Sequence, residues 1–282
     1  VFDDVNVDRT VQGALWGALT NGGQTCTSVE RLYVHERIYP EFVEKLKKEF
    51  ESIRSAAVTG VGANQGDLDV GGMTTPFQLD IVDDHIEDAV KNGAKVLVGG
   101  KRGATGQSYQ PTLLVDVTPA MKIVTEETFG PVLPVMKFRD EAEVIALANH
   151  SPYGLNSSVW SGDVARAERV AGKLEAGNVC INNVMSTQAN AGLPFGGVKS
   201  SGFGRYHGAL GLHTFCNIKS IMTDAKQGKY EVNWYPYSVE KYRLFSKLMD
   251  ALFGGGPFGL IKTALIGMKL DRICQKGRKG NG

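Results

Sequence analysis

Apolar residues recur at helical spacing from Val11 through Ala14, Leu15 and Ala18 to Leu19, and Gly22 and Gly23 then supply the positive-φ backbone that ends a helix. The polar run Asn21-Gly-Gly-Gln24 gives way to Leu32-Tyr-Val34, an apolar run that predicts a buried strand. A second helix is predicted to begin at Ile38-Tyr-Pro-Glu41 and to bury Phe42, Leu46, Phe50 and Ile53. Residues 59–72, rich in Gly, Asn and Asp, predict a surface loop. Beyond it the chain alternates. Helices are predicted over 76–92, 141–149 and 164–174, with strands over 94–98, 109–117, 132–138, 155–160 and 178–182. Strands alternating with helices of this length imply an α/β fold, a mostly parallel sheet flanked by helices.

The pattern changes near residue 213. Thr214, Cys216, Ile218, Ser220 and Met222 alternate with Phe215, Asn217, Lys219 and Ile221, which predicts a lone strand over 213–224. Further on, Val239, Tyr242, Phe245, Leu248, Met249, Leu252 and Phe253 share one helix face. Gly254-Gly-Gly-Pro257 breaks that helix, and a second apolar, Lys-bearing segment runs from Phe258 to Cys274. Three regions are thus expected: a domain over 1–212, the strand, and a helical tail over 225–282.

Charge sharpens the division. The 282 residues carry a net +1, but the tail holds 11 Lys or Arg against 4 Asp or Glu, leaving it at +7 and the remainder at −6. Overall, 42% hydrophobic and 22% charged residues are ordinary for a soluble globular protein, and nothing points to nucleic acid as a partner. The second tail segment is too short and too charged to span a bilayer comfortably. Helices docked on protein and an interfacial anchor on an anionic membrane surface both remain open.

The cysteines, at 26, 180, 216 and 274, form no close pair and no metal spacing, and the five histidines are scattered. No metal site is expected, and a reducing, cytoplasmic setting is the better guess, with peripheral membrane attachment through the tail as the alternative. Val1-Phe-Asp-Asp lacks the basic start and long apolar core of a signal peptide. Asp80, Asp83, Asp84, Glu87 and Asp88 read as a solvated helix face. Cys26 sits on a tight connection where backbone amides can stabilise a thiolate. A lone cysteine is more often apolar filler, so its neighbours decide the matter.

Those neighbours, Gly23-Gln-Thr-Cys-Thr-Ser-Val-Glu-Arg-Leu-Tyr-Val34, resemble the active-site segment of the aldehyde dehydrogenase superfamily, with Ser28 a minor departure. Glu126-Glu-Thr-Phe-Gly-Pro-Val132 resembles its coenzyme motif, and Leu193-Pro-Phe-Gly-Gly-Val-Lys-Ser-Ser-Gly-Phe-Gly-Arg205 its C-terminal signature. The resemblance covers about residues 1–222. It implies Cys26 as nucleophile, Glu127 holding the nicotinamide ribose of NAD or NADP, and Phe129 packing on the nicotinamide end. It further implies Phe195 lining the aldehyde tunnel, Asn182 as a structural residue, and the strand over 213–224 crossing to another copy in a homo-oligomer. Gly202-Phe-Gly-Arg-Tyr-His-Gly208 is not a dinucleotide fingerprint, since its last glycine falls one residue late.

The resemblance also implies parts not found here. Family members place a coenzyme-binding domain, with the oxyanion asparagine and the general-base glutamate, ahead of the cysteine domain. The expectation is therefore the nucleophile-bearing half of an aldehyde dehydrogenase, inactive by itself. A non-catalytic scaffold or membrane module and a Cys-dependent hydrolase are the alternatives.

Overall fold

The computed structural model describes residues 1–59, 64, 66–104, 106–224, 230–254, 256 and 258–276, so part of the expected 59–72 loop and the ends of the tail lie outside the described residues. It divides into two compact units, Val1–Asn217 and Ile218–Gly282.

In the first unit β1 (Leu32–His35), β2 (Lys95–Val98), β3 (Thr112–Val115) and β4 (Val132–Phe138) form one sheet in the order β1-β4-β3-β2. Both neighbours of β4 run parallel to it, while β2 pairs antiparallel with β3. The sheet is mostly parallel, as expected, with one antiparallel strand at its edge. The connection differs from a parallel return, which usually carries a helix: no helix lies among the described residues of 99–111 between β2 and β3. A parallel pair, β6 (Asn156–Val159) with β7 (Asn178–Ile181), and a short antiparallel pair, β5 (Tyr153–Gly154) with β8 (Val198–Lys199), complete the strands described.

Alternation along β3 and β4 builds two cores. Leu113, Leu133 and Val135 face helices Val7–Leu19 and Tyr39–Ser52 through Val11, Leu15, Phe42 and Leu46. Leu114, Val132 and Met136 join Leu79, Val82 and Ile86 of helix Pro76–Lys91. Both faces of the central strands are therefore dry, which is why they read as continuous apolar runs. The acids of helix Pro76–Lys91 do more than meet solvent. Arg102 pairs with Asp80 and Asp83, Tyr109 donates to Asp83, and Lys122 pairs with Asp84.

In the second unit, helices Val239–Phe253 and Gly259–Lys276 pack on each other. Ser238 caps the first by accepting from the Lys241 amide at 3.0 Å. Among the described residues of this unit only Lys241 and Leu270 are buried. The Lys241 ammonium donates to the Trp234 and Pro236 carbonyls. No described helix is long and apolar enough to cross a membrane.

The expected strand over 213–224 differs at its start. His213 closes helix Gly208–His213, and the Cys216 amide turns back to its carbonyl at 3.0 Å. Residues 217–224 are described with no strand pairing, and Phe215, Ile218, Ile221 and Met222 are exposed.

Candidate active site

Topology brings the cysteine loop and the acidic motif together. Cys26 lies just ahead of β1, Glu127 and Phe129 just ahead of β4, and the two strands are parallel neighbours with Leu32 opposite Val135. Both loops therefore enter the sheet at the same end.

The cysteine loop is held by its neighbours. Helix Val7–Leu19 ends in a tight turn in which Asn21, Gly22 and Gly23 all adopt positive φ. Asn21 and Gln24 exchange side-chain-to-carbonyl hydrogen bonds of 3.0 Å, and Gln24 Oε1 accepts the Thr74 amide at 2.8 Å. Cys26 follows in a turn closed by the Ser28 amide on the Thr25 carbonyl, 2.8 Å. Thr27 donates to Gln188 Oε1 at 3.0 Å and Ser28 to the Gly17 carbonyl at 3.1 Å. The flanking hydroxyls are thus engaged inward, while the Cys26 side is exposed. Gly23 serves a second purpose, because a Cβ there would lie 2.0 Å from the Gly130 carbonyl oxygen. Only glycine lets the cysteine loop touch the Gly130-Pro131 turn.

The acidic motif loop is held more tightly still. Thr128 is buried; its amide donates to Glu30 Oε2 at 3.1 Å and its carbonyl accepts from Gln78 Nε2 at 2.7 Å. Its hydroxyl lies 3.1 Å from Nδ1 of buried His85, whose Nε2 is 3.5 Å from a Glu126 oxygen. Phe129 donates its amide to Glu30 Oε1 at 3.0 Å and adopts a φ of 49°. Burial pushes the Glu30 carboxyl up to about 7; the charge on nearby Glu127 adds to this, and the two amides and Arg31 oppose it. Burial likewise holds His85 below the usual imidazole range, against the pull of Glu126 and Asp84.

A cavity of about 420 Å³ is lined by Cys26, Glu30 and Glu127, with Tyr153, Asn156 and Trp160 across it. Glu127 is exposed and Phe129 half-buried. A thiol and a carboxylate thus share one chamber, while the Phe129 ring, two residues beyond Glu127, is not among the residues lining it. A carboxylate accepts two hydrogen bonds from a vicinal diol, and the ring offers an apolar face to a heterocycle. The donor set therefore suits a nicotinamide ribose.

Other residues fall elsewhere. Phe195 is 1% exposed; it exchanges backbone hydrogen bonds with Tyr206 and stacks edge-on against its ring at 5.3 Å, so it is not among the residues lining the cavity. The Asn182 amide brackets the Ser161 peptide with two bonds of 2.9 Å, a structural clamp. Cys180 is buried, with Ser186 Oγ at 3.4 Å. Sequence reasoning missed Glu30, His85 and Gln78. Glu30 carried a signal, since a carboxylate at the mouth of a buried strand calls for a partner.

A family model described as "Aldehyde dehydrogenase family" matches residues 1–221. The chain is 47% identical over 254 residues to a 4,4'-diapolycopene aldehyde oxidase from a Methylomonas species, covering 90% of this chain and 46% of that protein. It is 40% identical over 220 residues to an NADP(+) succinate-semialdehyde dehydrogenase from Escherichia coli, covering 78% and 44%. Among solved structures, a betaine aldehyde dehydrogenase from Staphylococcus aureus in complex with NAD+ aligns with a TM-score of 0.75 at 34% identity, covering 84% of this chain and 46% of that one. The chain thus spans about half the length of the relatives it matches.

Proposed function

The chain belongs to the aldehyde dehydrogenase family, and on that premise we propose that it is the nucleophile-bearing portion of an enzyme that oxidises an aldehyde to a carboxylic acid with NAD or NADP. The observation that carries this is the shared cavity of Cys26 and Glu127, fed by loops from two parallel, adjacent strands. The Cys26 thiolate adds to the aldehyde carbon, and the carbonyl oxygen becomes an oxyanion that the Cys26 N–H can receive. Glu127 would hold the ribose hydroxyls and Phe129 would pack against the nicotinamide. When bound, the coenzyme accepts the hydride lost from the thiohemiacetal carbon, which leaves a thioester on Cys26. Water then hydrolyses the thioester. The base for that step is assigned to no residue of this chain, since each Glu30 oxygen already accepts an amide.

The substrate class is read from the tail. A match of 254 residues in a chain of 282 necessarily enters the second unit, which begins at Ile218, so the Methylomonas relative resembles this chain there too. That relative is named for an aldehyde of an apolar polyene. The tail leaves Tyr242, Phe253, Phe258 and Leu260 exposed among its basic residues. A long, apolar aldehyde met at an anionic lipid surface fits both observations. The strand over 213–224 is read as pairing with a second copy, because its apolar residues are bare in one.

The expected result is no NAD(P)H from the 282 residues alone with any aldehyde. Joined to a coenzyme-binding half of the kind longer members carry, the chain should turn over, and Cys26→Ala should abolish this. Turnover unaffected by Cys26→Ala would sink the mechanism. On the chain itself, iodoacetamide should modify Cys26 faster than Cys216, which is equally exposed but sits in no cavity.

A further inference from the structure

Glu30 stands four residues after Cys26 and two before β1. Its two oxygens accept two consecutive amides of a loop that lies about a hundred residues further along the chain, from Thr128 and Phe129. Those amides belong to the most constrained stretch of the site. Phe129 holds a left-handed φ of 49°, a conformation that is strained for a bulky residue and persists only where the surroundings enforce it. Gln78 and His85 take the remaining polar groups of Thr128. Neither reaches the Phe129 amide; Glu30 does.

We propose that Glu30 is a positioning residue whose carboxylate clamps the Thr128–Phe129 backbone to the cysteine loop and thereby sets Glu127 and Phe129 for the coenzyme. The proposal rests on the reading of Glu127 and Phe129 given above. The clamp depends on charge. An ionised carboxylate presents an acceptor to each amide, whereas the neutral acid turns one oxygen into a hydroxyl that accepts poorly. The charged groups that bear on it are Glu127 and Arg31 directly, with His85 and Glu126 beyond Thr128. Burial has raised the Glu30 carboxyl to about 7, so the clamp tightens as pH rises through neutrality. The stability sign is opposite. The folded chain binds this proton more strongly than the unfolded chain, so global stability falls as pH rises from the ordinary carboxylate range towards 7. Local order at the loop and overall stability therefore move in opposite directions over the same interval.

Hydrogen exchange at the Thr128 and Phe129 amides of the 282-residue chain, corrected for the intrinsic pH dependence, tests the clamp between pH 6 and 8. Protection is expected to rise by roughly tenfold across neutrality, as the loss of a charge-assisted hydrogen bond implies, and to be low and flat in Glu30→Gln. In the joined, active enzyme Glu30→Gln should raise the coenzyme KM by a similar factor and leave the aldehyde KM unchanged. Flat protection in the wild-type chain, or full protection in Glu30→Gln, overturns the clamp; should the variant not fold, the wild-type titration decides alone. A loosened loop with unchanged coenzyme KM, where Glu127→Gln raises that KM, overturns the positioning role while the coenzyme reading stands. Unchanged coenzyme KM in both variants overturns the two together.

Discussion

The two units spend their apolar residues in opposite ways. Val1–Asn217 hides Leu46 and Leu133 in a core on one face of its sheet and Val82 and Leu114 in a core on the other, all four without exposed surface. Ile218–Gly282 has an equally regular apolar pattern, yet only Leu270 among its described apolar residues is buried. The same periodicity thus yields a self-sufficient core in one unit and an uncovered surface in the other. Two helices can bury one stripe each against the other; what lies outside that stripe needs a further partner.

Three substitutions probe this contrast. Leu133→Ala empties a site with no exposed surface at the centre of the sheet and should destabilise the first unit by about 2–5 kcal/mol in denaturant melts. A smaller loss would mean the core can collapse around the gap. Gly23→Ala forces both a strained φ and a clash with Gly130, and should cost about 1–3 kcal/mol. It should also slow Cys26 alkylation, since both loops must shift. Normal alkylation would break the claim that they are braced together. Leu252→Ala, at a position 48% exposed, should change stability by less than about 0.5 kcal/mol. Yet it should weaken pelleting with phosphatidylserine vesicles, which salt should weaken further and deletion of 225–282 should abolish. Unchanged pelleting after that deletion would remove the lipid reading of the tail.

Legibility in the sequence followed the range of the interaction. Helices Tyr39–Ser52 and Val239–Phe253 were readable because their apolar residues recur with the period of a helix, and strand β4 because it is a short, nearly continuous apolar run. The family was readable through the immediate neighbours of Cys26. The antiparallel edge strand was not, because direction is set by what the 99–111 connection lacks, and a count of alternating elements overlooks that. Glu30 and His85 stayed hidden for a different reason. Their partners, Thr128 and Phe129, lie far along the chain, and only the β1–β4 pairing brings them near. Phe195, expected from its motif to line the aldehyde tunnel, has its ring packed edge-on against Tyr206.

That β1–β4 pairing also has a consequence for synthesis. Leu32 opposite Val135 is a contact across 103 residues, so the edge on which the site is built cannot close until β4 has left the ribosome. At about 5–20 residues per second, the interval is roughly 5–20 s. Throughout it the thiol of Cys26 exists without the loop that will face it, as an ordinary cysteine on an incomplete chain. Its exposure to oxidants begins at birth, and a reducing environment protects the nascent loop as much as the finished one.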